Sequence, residues 1–330
     1  MKKVYIIILN WHGWQDTIEC LESVFRLDYP EFRTVVCDND SQDGSLEKIK
    51  AWAEGKIPAN VATDNPLRHL TFPPVAKPIT YEEYDRHQAE TGSGDSSASM
   101  VLIRTGANLG FAGGNNAGIR YALARGDFDY VWLLNNDTVV KPDALAQMVR
   151  RMAEKPNAGM CGALIPFYNK PEIIWAAGGG TLNKWLIKSA SIDYGQPVSK
   201  VSPQEEIEPR MDYLAGASML VSADFIRSVG LMSEEYFLYY EEPDWYMRGK
   251  RRFSLAYADK AIVYHKVGIS TNKWDAGHSK TTAKFHLISQ LRFTAKFYPL
   301  SLPVVLFRIV KYYLKLMFFR RRSCDIINGK

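Results

Sequence analysis

The chain is short of cysteine, of long apolar runs near its start and of acidic residues near its end, and each shortage excludes something. Its 330 residues include four widely spaced cysteines, with no Cys-x-x-Cys pair and no histidine beside them at metal-ligand spacing. This excludes a zinc finger or a disulfide framework and is typical of reduced, cytosolic thiols. Six apolar residues follow Met1-Lys2-Lys3, too few for a signal peptide or a membrane span, so we expect a cytoplasmic protein.

Two phosphate-binding motifs are also missing. The segment Asn108–Gly118 is rich in glycine, but its spacing is not Gly-x-Gly-x-x-Gly and no Lys-Ser/Thr follows it. The sequence therefore does not indicate a Rossmann dinucleotide site or a P-loop ATPase. These glycines serve either to let the backbone approach a nucleotide or to pack a helix closely on a sheet, and the sequence leaves both functions open.

Three apolar segments predict buried strands of an α/β fold, since continuous β-branched and aromatic residues are typical of parallel strands covered on both faces. The segments are Val4–Leu9, Thr34–Cys37 and Asp129–Leu134. Each one ends in a polar cluster, namely Asn10-Trp11-His12, Asp38-Asn39-Asp40 and Asn135-Asn136-Asp137. Ligands of α/β folds bind outside the carboxyl ends of such strands, so we expect Asp137 to lie at the mouth of the sheet, whereas Asp38, taken alone, is more typical of a turn than of a ligand.

Asp137 is the strongest candidate for a metal ligand at that mouth. It follows Asn135 and Asn136, and carboxylate and amide oxygens are the hard donors that Mg²⁺ or Mn²⁺ prefers. The alternative is an ordinary turn before a helix that begins near Pro142, and the residues alone leave it open.

A second polar cluster, Glu241-Glu242-Pro243-Asp244, follows a run of aromatic residues. Carboxylates among aromatic rings lose hydration, which raises their pKa toward the value useful for a general base. The same residues suit the acidic first turn of a helix, and both interpretations can hold together. Downstream, His265 ends a predicted strand and, taken alone, is more typical of a structural residue than of a metal ligand.

Charge and composition divide the chain into a predicted catalytic domain, residues 1–279, and a tail, residues 280–330. The tail holds eleven Lys and Arg residues against Asp325 alone, a net charge of +10, whereas the chain as a whole carries +5. Within the first domain, the proline-rich segment 58–99 shows little periodicity, which predicts a surface insertion or a mobile loop.

Two amphipathic helices are predicted in the tail. The first carries a stripe of Phe285, Ile288, Leu291 and Ala295. The second, Leu302–Phe319, is apolar, with a basic stripe formed by Arg308, Lys311, Lys315 and Arg322. This pattern favours a helix lying in the interface of an anionic membrane, while packing on the catalytic domain is the alternative. Nucleic acid is not expected, because no binding motif accompanies the charge.

Taken together and in order, five blocks resemble the inverting family 2 glycosyltransferases, in particular the bacterial rhamnosyltransferase-like and galactofuranosyltransferase-like members. The resemblance covers roughly residues 4–298. The blocks are Val4–Trp11, Asp38–Ser45, Asn108–Ile119, Leu134–Thr138, and Phe237–Arg248 followed by Tyr264–Ser270. It implies the GT-A fold, a Rossmann-like mixed sheet flanked by helices, here followed by the amphipathic helices of the tail.

The resemblance also implies roles for individual residues. The donor, a nucleotide-diphosphate-sugar, would be bound by Asn10, Trp11, Asp38, Asn108, Gly113, Asn116 and Asn135. Asp137 and His265 would hold Mn²⁺ or Mg²⁺. The base of the family's Glu-Asp pair falls on Glu242, beside Glu241, with Asp244 as a rival. The chain departs from the family pattern at Glu242, where Asp is usual, and at Asn135, where the metal motif often has Asp.

The implied reaction is a single displacement at the anomeric carbon, with transfer of the sugar to a hydroxyl of a glycan. We expect this glycan to be lipid-linked and presented at the inner face of the cytoplasmic membrane. Bacterial surface polysaccharide, including lipopolysaccharide, is the expected product class. Two alternatives stay open. One is a nucleotidyltransferase, and the other is a catalytically silent sugar-nucleotide-binding membrane scaffold, suggested by the substituted Asn135 and Glu242.

Overall fold

A computed structural model describes residues 1–92, 97–266 and 280–311 of the chain. The predicted continuation of the His265 block, residues 267–270, lies outside the described residues. So do Lys315, Arg322 and the rest of the chain from residue 312 onward.

The strands confirm the apolar segments predicted above and add several others. In chain order they are β1 (Val4–Asn10), β2 (Phe32–Asp38), β3 (Tyr81–Asp85), β4 (Met100–Arg104), β5 (Tyr130–Asn135), β6 (Thr138–Val140), β7 (Ala158–Phe167), β8 (Lys170–Ala177), β9 (Gly179–Asn183), β10 (Lys188–Ser191), β11 (Tyr213–Leu214), β12 (Ser218–Ser222) and β13 (Ser254–His265).

Among the described residues these strands build one large mixed sheet and one small sheet. The large sheet has the order β3-β4-β2-β1-β5-β12-β7-β13-β6, with β8 paired to β7, and the small one has the order β10-β9-β11. Strands β1, β2, β4 and β5 run parallel, and β12 is antiparallel to β5. The chain order reverses between β1 and β5, which is the switch point where α/β sheets bind ligands.

Helices cover both faces of the large sheet. They are α1 (Trp14–Val24), α2 (Ser45–Ala53), α3 (Arg86–Glu90), α4 (Gly110–Arg125), α5 (Ala144–Glu154), α6 (Gln204–Ile207), α7 (Ala223–Val229), α8 (Glu241–Gly249) and α9 (Lys280–Phe297). Alternate residues of β1 face opposite layers: Ile6 and Ile8 pack with α1, α2 and α5, whereas Tyr5 and Ile7 pack with α4. The result is a three-layer α/β/α core.

The structure refines the prediction for residues 58–99. Within that segment, Tyr81–Asp85 forms β3, which pairs in parallel with β4 at the edge of the large sheet. The segment of residues 175–180 completes β8 and begins β9. Its Gly178 has a φ of +73°, and the turn there lets the chain pass from one sheet to the other.

The predicted apolar stripe of the first tail helix is buried only in part, since Phe285 stacks on Phe237 and Leu291 packs against the body. Ile288 is 42% exposed, whereas Ser289, Gln290 and Phe293 are buried against the catalytic body. Their hydrogen bonds explain the difference, because Ser289 Oγ donates to Leu238 O and Gln290 Nε2 donates to Ile187 O. Backbone carbonyls of the body thus select a polar face of α9.

Candidate active site

Strand register brings the ends of the central strands to one edge of the large sheet. Asn10 pairs with Asp38 across β1 and β2, and Leu9 pairs with Asn135 across β1 and β5. On the other side of the sheet, His265 of β13 pairs with Thr138 of β6, one residue after Asp137. The three polar clusters therefore lie along the same edge, together with His265.

Asn10 and Asp38 form a buried polar pair at the switch point. Asn10 Nδ2 donates to Asp38 Oδ1 over 2.7 Å, and Asn10 Oδ1 accepts from Thr17 Oγ1. The backbone N–H of Ser41 donates to the other oxygen of Asp38. With these partners the carboxylate is fixed in orientation, and 6% of Asp38 remains exposed at the mouth.

Trp11 lies above this pair with 55% of its surface exposed. Its indole packs against the ring of His12, with 4.9 Å between the ring centroids. His12 has a φ of +53°, and its N–H donates to Ser41 Oγ, so the loop after β1 is tied to the loop after β2. The arrangement holds a broad aromatic surface at the entrance of the crevice.

Asp137 and His265 meet at the other end of the same edge. His265 Nε2 lies 3.1 Å from Asp137 Oδ1, and both side chains are buried. Burial alone would raise the pKa of Asp137, but the charge and hydrogen bond of His265, together with the charge of Lys266, lower it below its ordinary value. The carboxylate is thus held ionised in a largely enclosed position.

These two side chains fit a divalent cation of the Mn²⁺ or Mg²⁺ class. Two neighbouring ligands of an octahedral ion lie roughly 3 Å apart when each bond is about 2.1 Å, which is close to the Asp137–His265 separation. The other ring nitrogen of His265 is buried and has no hydrogen-bond partner among the described residues. No cluster of three or more acidic, His or Cys side chains suited to a metal occurs in the part of the chain that the structure describes.

A buried lysine supports this corner of the site. Lys266 N donates to Asp137 O over 2.9 Å, and Lys266 Nζ pairs with Asp16 and Glu19 of α1. Tyr168 donates to Glu19 over 2.5 Å, which satisfies the same carboxylate from the opposite side. The network ties the strand that carries His265 to α1 and fixes the backbone of Asp137.

The acidic cluster lies at the start of α8, after an unusual backbone turn. Tyr239 and Tyr240 both adopt left-handed conformations, with φ of +69° and +71°. Two such residues in succession are costly for side chains with a Cβ, and this strain is typical of functional loops. Tyr240 is held by its hydroxyl, which donates to Ile187 O, and by packing against Phe293 of α9.

Glu242 reaches from this turn to the mouth of the sheet. Its Oε1 lies so close to Gly216 that a Cβ there would be 2.2 Å away. Gly216 precedes Ala217, whose carbonyl accepts the N–H of Asn135, so Glu242 lies beside the metal-binding edge. Burial raises the pKa of Glu242 to about 7. Burial and the charge of Glu242 raise the pKa of Glu241 further above its ordinary value.

Asp244 has a different environment from the two glutamates. It is fully buried, and its carboxylate accepts from Arg248, Lys296 and the hydroxyl of Tyr236 over 2.8, 2.6 and 3.1 Å. Three donors leave little capacity for a proton from a substrate. As a rival for the base, Asp244 is therefore disfavoured, and its ion pairs join α8 to α9.

The glycine-rich helix α4 packs closely on the sheet. A Cβ at Gly114 would lie 2.4 Å from Leu9, one at Gly118 would lie 2.6 Å from Ile7, and one at Gly113 would lie 2.7 Å from Leu109. These contacts favour the helix-packing alternative. Asn116 is fully buried and bonded through both ends of its amide to residues 232 and 234, so it braces the fold instead of facing the mouth.

A sequence profile described as Glycosyl transferase family 2 matches residues 4–65 and 84–196, together more than half of the chain. The chain belongs to this family. The match includes the Asn10–Asp38 pair, the α4 glycines and the Asp137 turn, so it covers the central part of the edge described above.

One relative and two solved structures indicate how far the likeness extends. A low-salt glycan biosynthesis hexosyltransferase of Haloferax volcanii, Agl10, is 26% identical to this chain over 156 residues, which are 47% of this chain and 48% of that protein. The chain thus spans about half the length of this curated relative.

Mannosyltransferase PcManGT from Pyrobaculum calidifontis, solved with GDP-Man and Mn²⁺, is 11% identical with a TM-score of 0.50, and the match covers 98% of this chain and 81% of that one. GalNAc-T7, solved with UDP, GalNAc and Mn²⁺, is 14% identical with a TM-score of 0.53, over 80% and 44% of the two chains. The chain has the GT-A fold of these proteins.

Sequence reasoning assigned no individual role to three residues that shape the site. They are Asn39, Gly216 and Lys266. Asn39 bonds to Asn108 and to the backbone of Leu109 and Gly110, so Asn108 is held in a polar network below α4. A signal was present for Lys266, because a lysine directly after a buried strand requires a charged partner. No local signal marks Gly216, since its neighbour Glu242 is distant in sequence.

Proposed function

We propose that this chain is a metal-dependent inverting glycosyltransferase that moves a sugar from a nucleotide-diphosphate-sugar to an acceptor hydroxyl. The observation that carries the proposal is the position of Glu242, a partly buried carboxyl with a pKa of about 7. It lies against Gly216 at the same sheet edge as Asp137 and His265.

The donor nucleotide would occupy the switch point between β1 and β5. The fixed carboxylate of Asp38 can accept hydrogen bonds from the base or ribose, and Asn10 holds it in that orientation. The exposed indole of Trp11 offers a stacking surface for the base. Asn108 would act at the rim through the loop it shares with Asn39, while Asn135 would line the pocket floor.

Asp137 and His265 would hold the divalent cation. When bound, such an ion neutralises the negative charge that develops on the departing diphosphate. PcManGT and GalNAc-T7 were solved with Mn²⁺, which supports the proposal that this chain also uses Mn²⁺ or Mg²⁺. Lys266 keeps Asp137 in place, because it donates to the backbone of Asp137 and is anchored on α1.

Glu242 would take the proton of the acceptor hydroxyl as its oxygen attacks the anomeric carbon. A pKa near 7 leaves a substantial fraction of the carboxyl ionised at neutral pH while it remains basic enough to accept a proton. A single displacement inverts the configuration at that carbon. Glu241 is more deeply buried than Glu242, and burial together with the neighbouring charge raises its pKa well above the ordinary value, so it would stay protonated and avoid placing a second negative charge beside Glu242.

For the acceptor we propose a glycan, lipid-linked and presented at the inner face of the cytoplasmic membrane. The basic segment 280–330 would attract an anionic bilayer, with about 1 kcal/mol for each Lys or Arg near the surface. Agl10 is a hexosyltransferase of glycan biosynthesis, which supports a role of this chain in glycan biosynthesis with a hexosyl donor. A rhamnosyl donor and a surface polysaccharide as product are proposed from the family resemblance.

The decisive experiment is transfer and hydrolysis measured with a panel of nucleotide-sugars, with Mn²⁺, with Mg²⁺ and with chelator. We expect metal-dependent release of the nucleoside diphosphate from one donor class and a product of inverted configuration. Tight donor binding without turnover under every condition would instead support the silent scaffold. Release of pyrophosphate from a nucleoside triphosphate and a sugar phosphate would support a nucleotidyltransferase.

A further inference from the structure

A second tail helix follows α9 over residues 302–311. It carries an exposed apolar surface on the side that faces away from the protein. Val305 is fully buried against the body, whereas Leu306, Phe307 and Val310 are 48%, 68% and 55% exposed. Leu300, just before the helix, is 83% exposed. Apolar side chains thus occupy both faces of this helix, and the outer face has no cover among the described residues.

The tip of the β9–β10 hairpin extends this surface. Trp185 is 68% exposed and Leu186 is 39% exposed. Two contacts place the tip along the tail helix, because Ser301 Oγ donates to Lys184 O over 2.8 Å and Arg308 donates to Leu186 O. The hairpin and the helix therefore form one unit, which we call the apolar platform: Lys184–Lys188 together with residues 300–311.

Positive charge surrounds the apolar platform. Lys184, Lys188 and Lys311 are exposed, and Arg308 lies between the hairpin and the helix. The sequence continues with Lys315 and Arg320-Arg321-Arg322. Exposed tryptophan and phenylalanine flanked by lysines and arginines is the composition of surfaces that lie in a bilayer interface, where the rings enter the headgroup region and the charges meet anionic lipids. No helix within the described ranges is long and apolar enough to cross a membrane.

We infer that the apolar platform docks on an anionic lipid bilayer, with Trp185 and Phe307 inserted among the headgroups. The inference rests on the membrane association proposed above and adds to it a second element, the hairpin, remote in sequence from the basic tail. The platform also borders the turn of Tyr239 and Tyr240 that precedes Glu242, which we call the base loop. Ile187 is fully buried behind the tip, and its carbonyl accepts hydrogen bonds from Tyr240 and from Gln290. A docked platform places Glu242 beside the lipid surface.

Vesicle flotation of the full chain tests this inference, using phosphatidylcholine with and without phosphatidylglycerol at low and high salt. The variants are Trp185→Ser, Phe307→Ser and the double variant. The matched control is Phe72→Ser, since Phe72 is also an exposed aromatic residue (44%) but packs against Arg68, outside the platform. We expect each platform substitution to lower the partition coefficient on anionic vesicles about tenfold, or about 1.4 kcal/mol, and the control to leave it unchanged.

Equal flotation of all variants would overturn the inference. So would sedimentation of the native chain as an assembly that Trp185→Ser and Phe307→Ser dissolve, because the surface would then be a contact between copies of this chain. Donor turnover is measured on the same samples in solution without vesicles. Loss of flotation in the platform variants supports the inference even where no donor is turned over, so the proposed enzymatic function can fail separately.

Discussion

The carboxylate of Glu242 occupies the space that a side chain would take at Gly216. A Cβ at that glycine would lie 2.2 Å from Glu242 Oε1, although the two residues are joined by neither a strand pairing nor a helix. Gly216 belongs to the turn between β11 and β12, whereas Glu242 belongs to the first turn of α8. Because Gly216 has no side chain, the carboxylate of Glu242 can lie against the turn between β11 and β12.

Gly216→Ala should move Glu242 from the mouth and lower kcat by about tenfold or more, because a misplaced base is ineffective. Donor affinity should change little. The control is the double variant Gly216→Ala with Glu242→Asp, whose shorter acid leaves room for the methyl group. We expect the double variant to have a higher kcat than the two substitutions would give if their effects on kcat were independent. Independent effects would contradict direct contact between these positions.

Glu242→Gln should lower kcat by about 10²–10⁴ and leave donor binding intact, since only proton transfer is lost. In the native protein, kcat/KM should rise about tenfold per pH unit below pH 7 and level off above it, because the pKa of Glu242 in the free protein is about 7. The pH profile of kcat/KM checks this statement, with the Gln variant as its control, and kcat of the two proteins at one pH checks the first. A flat native profile would contradict the assignment of the base.

The same carboxyl should make stability depend on pH. Its pKa is raised from an ordinary 4.5 to about 7 by burial, so the folded state binds the proton more strongly than the unfolded state. The resulting contribution to the free energy of unfolding is complete below pH 4.5 and is lost as the pH rises through 7. Denaturation across this range should show a smaller decline for Glu242→Gln than for the native chain.

Asp137→Ala should abolish the stabilisation of the protein by Mn²⁺ together with donor, and His265→Ala should weaken it. The measurement is the thermal shift with donor, with metal and with both, since binding to the folded state raises its apparent stability. Asp64→Ala provides the control, because Asp64 is an exposed carboxylate outside the site. An unchanged metal response in Asp137→Ala would remove the proposed metal site.

Asp244→Asn should act on stability. Its carboxylate is fully buried among Arg248, Lys296 and Tyr236, and removing one partner of a buried ion pair costs about 3 kcal/mol. Chemical denaturation measures that loss, and kcat of the folded fraction should change by less than about tenfold. If the variant is as stable as the native chain yet inactive, Asp244 is the base and Glu242 is not.

Sequence reasoning was most successful where structure depends on local pattern. The apolar strands β1, β2 and β5 were predicted almost to their ends because buried parallel strands have a distinctive composition, and the mouth followed from their carboxyl termini. The start of α8 at Glu241 was likewise indicated by Pro243 and its acidic neighbours. The family resemblance then predicted the meeting of Asp137 and His265, which local pattern alone left open.

The remaining features depend on contacts between distant segments. Ser289 and Gln290 are buried on α9 because carbonyls at Leu238 and Ile187 need donors, a requirement that no helical periodicity contains. Strand β13 begins at Ser254, but Asp259 and Lys260 in its middle interrupt the apolar pattern, so its first half has no continuous strand signal. Packing also decided the role of the α4 glycines, since their distances from Leu9 and Ile7 depend on how the helix lies on the sheet.

The carbonyl of Ile187 has a consequence for how the molecule unfolds. It accepts hydrogen bonds from Tyr240, just before the base, and from Gln290 of α9, and Lys296 of the same helix pairs with Asp244. We therefore expect three segments to open together as one cooperative unit in hydrogen exchange, namely the β9–β10 hairpin, the base loop and α9. A chain shortened to residue 279 would lose these partners of the strained tyrosine pair, so we expect it to be less stable than the full chain.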